Sequence, residues 1–362
     1  MLRSFGLARN FSTSSRVLVN YGFVGLGQMG QHMARHIYEK LEPVDKLFVY
    51  DTVGAASDTF VRTNKDAFPD HAHQLFKVDQ LTDLVSTVEE PLDYVVTMVP
   101  EGSHVSGVVS ALVEAYKQVT PSKNFHPTVF LDSSTIDIQT SREIHEYVKQ
   151  QVPEFDFIDT PVSGGVAGAR KGTLSFMLSR GSMDDISPKL LTLLKKMGAN
   201  IFPCGASHGT GLAAKLSNNY LLAVTNLAVA DSFQLAKSFG LDLKAYAKLV
   251  SVSTGKCWAA VDNCPIPGAY PSEKQLPADI GYEGGFTTKL TRKDLVLATS
   301  CAEKNNRPLF LGDVGRFWYN KACESEKLAN RDLGVFYEWL EDIDTKKSDE
   351  KVGVTEKATV KA

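Results

Sequence analysis

The amino-acid sequence predicts an α/β protein with an N-terminal doubly wound sheet, a long interdomain helix and an all-α C-terminal domain. Three patterns along the chain support this fold class. In the N-terminal half, short apolar runs alternate with amphipathic segments, which is typical of a parallel sheet covered by helices on both faces. A long stretch rich in Ala, Leu and Val begins at Gly209. The readable segments beyond it have the apolar spacing of helices.

Five apolar runs in the N-terminal half have the length and composition of strands. Each of them ends on glycine, proline, an acidic residue or small polar residues. The active residues of doubly wound sheets lie beyond the carboxyl ends of the strands. We therefore expect functional residues at five places along the chain, which are 25–30, Asp51, Val99–Pro100, Ser134–Thr135 and 163–165.

The apolar stretch that begins at Gly209 predicts one long helix, which runs to about Gly240 because glycine commonly ends a helix. We therefore expect a doubly wound domain over residues 19–206, an interdomain helix over 207–240 and an all-α domain over 241–345. A stretch dense in proline and glycine interrupts the helical pattern of the last domain.

Both ends of the chain differ in composition from the rest. Residues 1–18 carry three arginines among serines and threonines, and the first acidic residue of the chain is Glu39. This composition is typical of a mitochondrial transit peptide and predicts a protein of the mitochondrial matrix. The alternative is a disordered basic tail that happens to lack acids. Residues 346–362 are charged and almost free of large apolar side chains, which predicts a disordered tail.

The bulk composition excludes several classes of function. Hydrophobic residues make up 43% and charged residues 22% of the 362 residues, as in ordinary soluble proteins of about two domains. The net charge of −3 gives no reason to expect a nucleic acid or a membrane as partner, and no apolar run is long enough to span a bilayer. Five scattered cysteines and the isolated pair His71 and His73 predict neither a disulfide framework nor a metal site.

A glycine-rich turn of the form G-x-G-x-x-G follows the first strand, and Asp51 ends the next strand 21 residues later. Strand, turn, helix and acidic residue together form the Rossmann fingerprint of dinucleotide binding. The first glycine makes the tight turn, the second lets backbone amides approach a pyrophosphate, and the third lets the helix pack close to the strand. Because a carboxylate repels a 2′-phosphate, Asp51 predicts NAD rather than NADP as cofactor. The predicted cofactor-binding turn consists of Gly25, Leu26, Gly27, Gln28, Met29 and Gly30.

Lys215 and Asn219 stand near the start of the long helix, four residues apart and therefore on one helix face. A buried lysine is costly to charge, so the alternatives are an exposed lysine and a catalytic amine with a lowered pKa. Oxidation of an alcohol by nicotinamide needs a base for the hydroxyl proton. Lys215 is the candidate base, and Asn219 would hold the substrate oxygen or orient the amine. We expect this end of the helix to face the cleft between the domains.

Two further groups of residues are candidates for binding. Ser163-Gly164-Gly165 follows a strand, and its backbone amides could bind a substrate carboxylate as an anion nest; the alternative is a plain glycine turn. Lys293 follows Phe286 by seven residues, a spacing that places both on one face of a helix. The lysine would then reach the cofactor while the ring covers the nicotinamide. Lys293 is otherwise an exposed lysine, and Lys289 and Arg292 are alternatives for the cationic role.

The motifs resemble those of the β-hydroxyacid dehydrogenases over about residues 19–345. Four separated stretches in the family's order carry the resemblance: GFVGLGQMG, DTPVSGGVAGARKGTLSFM, GTGLAAKLSNN and GGFTTKLTRKDLVLA. A fifth stretch, GKCWAAVDNCPIPG, resembles the branch of the family that acts on 3-hydroxyisobutyrate. The resemblance implies NAD-dependent oxidation of 3-hydroxyisobutyrate to methylmalonate semialdehyde, a step of valine breakdown.

The resemblance also implies roles for single residues. It assigns catalysis to Lys215 with Asn219 beside it, and the chain departs from the family where His104 replaces a common Asn and Asp231 replaces a common Glu. His104 puts one cofactor contact in doubt, and Asp231 keeps the charge with a shorter reach. The implied substrate residues are Ser163, Gly164 and Gly165, and the implied cofactor residues are Val99, Pro100, Thr135 and Lys293.

Two other functions stay open on the sequence alone. One is action on another short 3-hydroxy acid or semialdehyde, such as tartronate or succinic semialdehyde. The other is a non-catalytic NAD-binding protein, against which the presence of Lys215 argues. The long helix has apolar positions on several faces, and these are more than a single neighbouring domain would cover. We therefore expect a homodimer or homotetramer.

Overall fold

A computed structural model describes residues 18–86, 91–119, 127–270 and 275–342 of the chain. The predicted transit peptide, up to residue 17, and the predicted C-terminal tail lie outside the described residues. The chain divides into two compact units, and the boundary between them lies between Leu212 and Ala213. Among the described residues, no helix combines the length and the apolar composition that crossing a membrane requires.

The first unit is built on a parallel sheet of six strands in the order β3-β2-β1-β4-β5-β6. The order reverses between β1 and β4, as in the classic dinucleotide-binding fold, so the predicted doubly wound sheet is confirmed. The six strands are β1 (Asn20–Val24), β2 (Lys46–Tyr50), β3 (Leu75–Lys77), β4 (Tyr94–Thr97), β5 (Val129–Asp132) and β6 (Asp156–Asp159).

Helices cover both faces of this sheet. Successive side chains of a strand point to opposite faces, so each strand contributes to the core on both sides. Phe23 packs in one apolar cluster and its neighbour Val24 in the other, and Leu131 and Phe130 divide in the same way. Each face is therefore a separate core. The helices of the first unit are α1 (Gly30–Glu39), α2 (Gly54–Ala67), α3 (Asp83–Ser86), α4 (Gly102–Gln118), α5 (Ile138–Gln151), α6 (Gly165–Lys171) and α7 (Pro188–Met197).

A second, smaller sheet contains β7 (Val162–Ser163), β8 (Leu174–Leu178) and β9 (Gly198–Pro203). The expectation that Ser163 ends a strand of the parallel sheet is therefore wrong. The sixth parallel strand ends at Asp159, and Pro161 follows it. Because proline has no backbone N–H to continue a ladder, the chain leaves the first sheet there and pairs antiparallel with β8.

Helix α8 (Thr210–Ser238) is the predicted long helix, and its first turn is anchored by a buried carboxylate of the first unit. Asp159 accepts hydrogen bonds from the amides of Gly209, at 3.0 Å, and Leu212, at 2.9 Å. Orphan amides at a helix start are commonly satisfied in this way. Burial lowers the pKa of the neighbouring His208 to about 4, so this imidazole is neutral at physiological pH.

The second unit is all-helical, as predicted. Helix α8 is followed by Gly240, whose φ of 78° is left-handed, so glycine ends the helix as the sequence indicated. The core of this unit packs large side chains of α8 and the later helices, including Phe233 and Tyr319. The later helices are α9 (Leu243–Val252), α10 (Trp258–Val261), α11 (Thr288–Lys304), α12 (Gly312–Ala322), α13 (Glu326–Ala329) and α14 (Phe336–Asp342).

Candidate functional site

The turn between β1 and α1 depends on two glycines for its own geometry. Gly25 has a φ of 97°, and a Cβ at this position would collide with the carbonyl of Met98. A Cβ on Gly30 would collide with the carbonyl of Gly25. The first and third glycines of the fingerprint therefore hold the turn and the start of α1 close to the sheet, as predicted.

Gly27 has a different environment, because a Cβ placed on it would meet no protein atom within 4 Å. The residue is exposed, and so is Gln28 beside it. Packing within the chain therefore does not require glycine at this position. A ligand that approaches the backbone closely does require it, and the pyrophosphate of a dinucleotide at the N-terminus of α1 fits this requirement.

Asp51 lies just beyond β2, where backbone amides orient its carboxylate toward the glycine turn. One oxygen accepts a hydrogen bond from the amide of Leu26 at 2.6 Å, and the other accepts from Val53 at 2.8 Å. Each carboxylate oxygen has a second lone pair. Asp51 is therefore held beside the turn with acceptor capacity left for the hydroxyls of a ribose.

The loops that follow β4 and β5 are joined by a buried network that the sequence did not reveal. The amide of Val99 donates to Ser134 Oγ at 3.0 Å. Asp132 accepts from Thr97 Oγ1 at 2.8 Å and from the amide of Ser134 at 3.1 Å. Burial raises the pKa of Asp132 to about 6. Polar residues at the carboxyl ends of two adjacent apolar strands were the available signal. The network fixes the amide of Val99, and the other predicted cofactor residues here, Pro100 and Thr135, are the chain neighbours of Val99 and Ser134.

The predicted anion nest lies between β7 and α6. Gly164 and Gly165 have φ values of 130° and 59°, conformations that favour glycine, and both are exposed while Ser163 is half-buried. Helix α6 then packs against α1, where His36 Nε2 lies 3.0 Å from the carbonyl of Arg170. The backbone geometry is compatible with an anion site, and its role in substrate binding stays a prediction.

In the second unit, helices α8 and α11 bring together Lys215, Asn219 and Asp294, which are 8%, 2% and 5% exposed. Asn219 Nδ2 donates to Asp294 Oδ2 at 2.5 Å, and Asn218 Nδ2 donates to Asn219 Oδ1 at 3.2 Å. Lys215 and Asn219 share a helix face, as their spacing predicted. The exposed-lysine alternative is therefore excluded for Lys215.

The electrostatics of this cluster leave the lysine with a lowered pKa. Burial lowers the pKa of Lys215, the carboxylate of Asp294 opposes this shift, and the positive charge of Lys293 adds to it. Burial in turn raises the pKa of Asp294, against the opposing influence of Lys215 and Asn219. The predicted direction of the Lys215 shift is confirmed, and a neutral amine at this position can accept a proton.

Asp294 is the member of this cluster that the sequence analysis missed. It lies on the buried face of α11 with Thr291, Leu295 and Ala298. These residues follow the spacing of one helix face, and an acidic residue within such a face requires a buried partner. That pattern was a readable signal, but only the structure identifies Asn219 as the donor.

The position of Phe286 also differs from the prediction. Helix α11 begins at Thr288, with Thr287 preceding its first turn, so Phe286 and Lys293 do not share a helix face. The alternative cations each have another partner, because Lys289 Nζ donates to Asn330 at 2.6 Å and Arg292 Nε donates to Asn320 at 2.5 Å. Lys293 is the cation of α11 whose charge acts on Lys215.

The described residues contain no group of three His, Cys, Asp or Glu side chains arranged to hold a metal ion. His71 Nδ1 lies instead 2.8 Å from Gln74 Oε1.

Two sequence families match the chain. The NAD-binding domain of 6-phosphogluconate dehydrogenase matches residues 20–205, and the domain described as NAD-binding of NADP-dependent 3-hydroxyisobutyrate dehydrogenase matches residues 209–339. Mitochondrial 3-hydroxyisobutyrate dehydrogenase of Drosophila melanogaster is 34% identical over 322 residues, which is 89% of either chain. The human protein of the same name is 32% identical over 343 residues, covering 94% of this chain and 92% of its own.

Solved structures give the same assignment. Mycobacterium tuberculosis 3-hydroxyisobutyrate dehydrogenase with L-serine has a TM-score of 0.74 and 30% identity, covering 90% of this chain and 99% of that chain. A 3-hydroxyisobutyrate dehydrogenase from Salmonella typhimurium, with 20% identity and a TM-score of 0.66, covers 89% of this chain and 99% of its own; at that identity it supports the fold alone.

Alanine at Gly30 should mainly lower stability, whereas alanine at Gly27 should mainly lower the affinity for the cofactor. Gly30→Ala forces a Cβ into the carbonyl of Gly25, so the free energy of unfolding should fall by about 3 kcal/mol or more. Gly27→Ala has open space around it, so the free energy of unfolding should stay nearly constant while affinity for NADH falls at least about tenfold. Thermal unfolding and NADH fluorescence titration measure the two effects. An unchanged NADH affinity for Gly27→Ala would exclude a dinucleotide at this turn.

Proposed function

This chain belongs to the 3-hydroxyisobutyrate dehydrogenase family and is an NAD-dependent oxidoreductase, and we propose that it oxidises 3-hydroxyisobutyrate to methylmalonate semialdehyde in valine breakdown. The observation that carries the catalytic part of this proposal is the buried amine of Lys215, whose pKa is lowered by desolvation. An amine in this state is neutral at a lower pH than an exposed lysine and accepts the hydroxyl proton of the substrate.

Each neighbour of the amine has a distinct part in the proposed reaction. Lys215 takes the proton from the 3-hydroxyl group, which prevents positive charge from building on the forming carbonyl. Asn219 is fixed by its hydrogen bond to Asp294 and holds the hydroxyl oxygen or the amine in position. Asp294 limits the fall in the pKa of Lys215, so that the protonated amine is stable enough to form.

The residues of the first unit fit NAD as the cofactor. NAD, when bound, accepts the hydride from the carbon that carries the hydroxyl group. The turn 25–30 would hold the pyrophosphate and Asp51 the adenosine ribose, with Val99, Pro100 and Thr135 along the cofactor. Although one matching family is described as NADP-dependent, the carboxylate of Asp51 beside the turn would repel a 2′-phosphate.

Assignments for five further residues complete the proposal. Phe286 and Lys293 would contact the nicotinamide end of the cofactor. Ser163 and the exposed amides of Gly164 and Gly165 would bind the substrate carboxylate, since a glycine turn at a helix start presents N–H groups to an anion. Short hydroxy acids with a terminal carboxylate are the substrates that this arrangement selects.

The chain is mitochondrial, as its relatives in animals and Dictyostelium discoideum are named, and we propose the matrix as its compartment. The support from this chain is its acid-free N-terminal segment, with arginines among serines and threonines. Valine breakdown is consistent with the same location.

We also propose that the protein is a homodimer or homotetramer associated through the second unit. Leu221 and Leu235 on α8 are each 59% exposed, and Phe310, before α12, is 99% exposed. Leu221 and Leu235 are fourteen residues apart, about four helical turns, so they lie on one face. Exposed large apolar side chains on one helix face are typical of a surface covered by another subunit.

The activity test compares two buried lysines. Lys215→Met should lower kcat/KM for 3-hydroxyisobutyrate by about a thousandfold or more, because no base remains for the hydroxyl proton. Lys196 is also buried with a lowered pKa, but its amine donates to the carbonyl of Lys40 in the first unit. Lys196→Met should therefore lose stability and keep kcat. The rise in NADH absorbance at fixed enzyme concentration measures the activity of both variants, and thermal unfolding measures their stability.

The panel for this assay contains 3-hydroxyisobutyrate and L-serine with NAD and NADP, and tartronate semialdehyde and succinic semialdehyde with NADH and NADPH. Preference for 3-hydroxyisobutyrate with NAD supports the substrate and Asp51 assignments together. Full activity in Lys215→Met would exclude the proposed base. Oxidation of L-serine in preference to 3-hydroxyisobutyrate would change the substrate and leave the catalytic lysine in place.

The acidic limb of the pH profile should move in opposite directions in two variants. Activity rises with pH as Lys215 loses its proton, so the midpoint of the limb follows the pKa of Lys215. Asp294→Asn removes the charge that raises this pKa, so the limb should move to lower pH. Lys293→Met removes a charge that lowers it, so the limb should move to higher pH. Lys289→Met, on the same helix, is the control without a shift; shifts of one sign in both variants contradict the assignment.

Subunit association is tested by acidic substitution on α8. The wild-type protein should sediment at two or four times the mass of the 39.6 kDa chain, whereas Leu221→Glu with Leu235→Glu should sediment as one chain. Val44→Glu is the control, because Val44 is 46% exposed in the first unit. A monomeric wild type, or a double variant that stays associated, argues against this interface.

A further inference from the structure

The segment that precedes α11 has an unusual backbone. Gly281, Tyr282, Gly284 and Gly285 have φ values of 70°, 62°, 70° and 64°, all in the left-handed region. Glycine is permissive there, and Tyr282 is strained. A segment with so many glycines has many conformations available when nothing restrains it. Its single folded conformation therefore depends on contacts from elsewhere in the second unit.

Asp332 supplies the central contact. Its side chain is 1% exposed, and Oδ2 accepts a hydrogen bond from the amide of Phe286 at 2.9 Å. Oδ1 accepts from Asn263 Nδ2 and from the amide of Gly334, both at 2.8 Å. The amide of Asp332 itself donates to the carbonyl of Tyr282 at 2.8 Å. One buried carboxylate therefore joins three separate segments of the chain.

The neighbours of Asp332 extend this contact to the start of α11. The amide of Leu333 donates to the carbonyl of Phe286 at 3.0 Å, and the amide of Thr288 donates to the carbonyl of Arg331 at 2.8 Å. A Cβ on Gly285 would collide with the Asp332 carboxylate, so the glycine backbone passes directly beside it. The position of Phe286 and the first turn of α11 are set by these bonds.

The third segment is the stretch GKCWAAVDNCPIPG, whose sequence resembles the 3-hydroxyisobutyrate branch of the family. Asn263 in this stretch donates to Asp332, and the hydroxyl of Tyr282 donates to the carbonyl of Pro265 at 2.8 Å. The stretch therefore also contacts the glycine-rich segment and its anchor Asp332.

We propose that Asp332 is a positioning residue for the cofactor: its carboxylate holds Phe286 in the conformation that contacts the nicotinamide end of NAD. This inference rests on the proposed cofactor contact of Phe286. A carboxylate suits the task because three N–H donors converge on its two oxygens. An amide in its place turns an NH₂ group toward at least one of those donors, so Asp332→Asn disturbs the segment without removing bulk.

The experiment compares Asp332→Asn with Asp279→Asn. Asp279 also accepts from two backbone amides, those of Gly268 at 2.7 Å and Leu276 at 2.8 Å, but it has no hydrogen bond to Phe286. Asp332→Asn should raise KM for NAD and Kd for NADH about tenfold, while the acidic limb of the pH profile, which reports Lys215, stays in place. Asp279→Asn should change both constants less than twofold.

Three outcomes overturn the proposal. An Asp332→Asn enzyme that is less stable but keeps the wild-type KM for NAD shows a structural role alone. Equal effects of Asp279→Asn and Asp332→Asn show general loosening of the unit. Movement of the acidic limb in Asp332→Asn shows that the substitution acts on Lys215 instead of the cofactor.

Phe286→Ala separates this inference from the proposed function. If Phe286→Ala raises KM for NAD and Asp332→Asn does not, the cofactor contact stands and the positioning role is wrong. If neither variant raises it, the cofactor contact of Phe286 is wrong as well. Should Asp332→Asn fail to fold, Asn263→Ala replaces it, with an expected rise in KM for NAD of about threefold; an unchanged KM then overturns the proposal.

Discussion

The chemistry of this protein depends on keeping the amine of Lys215 out of water. Desolvation disfavours the charged form of a lysine, and it is the largest influence on the pKa of Lys215. A close, fully available carboxylate would cancel that effect by ion pairing. Here Asp294 accepts a hydrogen bond from Asn219 and is itself buried, so it moderates the lysine without restoring its usual basicity. The packing of α8 against α11 is therefore also the device that sets the proton affinity of the base.

Buried or half-buried carboxylates recur as anchors for backbone amides elsewhere in the chain. Asp51 accepts from two amides beside the glycine turn, Asp159 from two at the start of α8, and Asp332 from two amides and one side chain. Each anchor stands where the backbone leaves a regular element and its N–H groups lose their partners. The segments anchored in this way lie at the ends of regular elements and are fixed in position by these carboxylates.

The sequence predicted correctly those features that depend on the local steric requirements of single residues or on helix spacing. Gly25 and Gly30 were expected to serve the turn and the close packing of α1, and the structure shows a steric reason at each. The pairing of Lys215 with Asn219 followed from their spacing on one helix. Two predictions were wrong because a local pattern was extended beyond the element it described. Ser163 was assigned to the parallel sheet although Pro161 precedes it, and Phe286 was assigned to α11, which begins at Thr288.

The sequence by itself determined the doubly wound sheet, the long helix and its end at Gly240, and the dinucleotide turn, because these depend on periodicity and on the steric limits of single residues. The family followed from the resemblance of four ordered motifs. Only the tertiary structure decided that Asp294 faces Lys215 and Asn219, that Asp132 joins the loops after β4 and β5, and that Asp332 holds Phe286. These contacts join residues far apart in the chain. Their partners are selected by how helices and loops pack, which no local pattern of the sequence records.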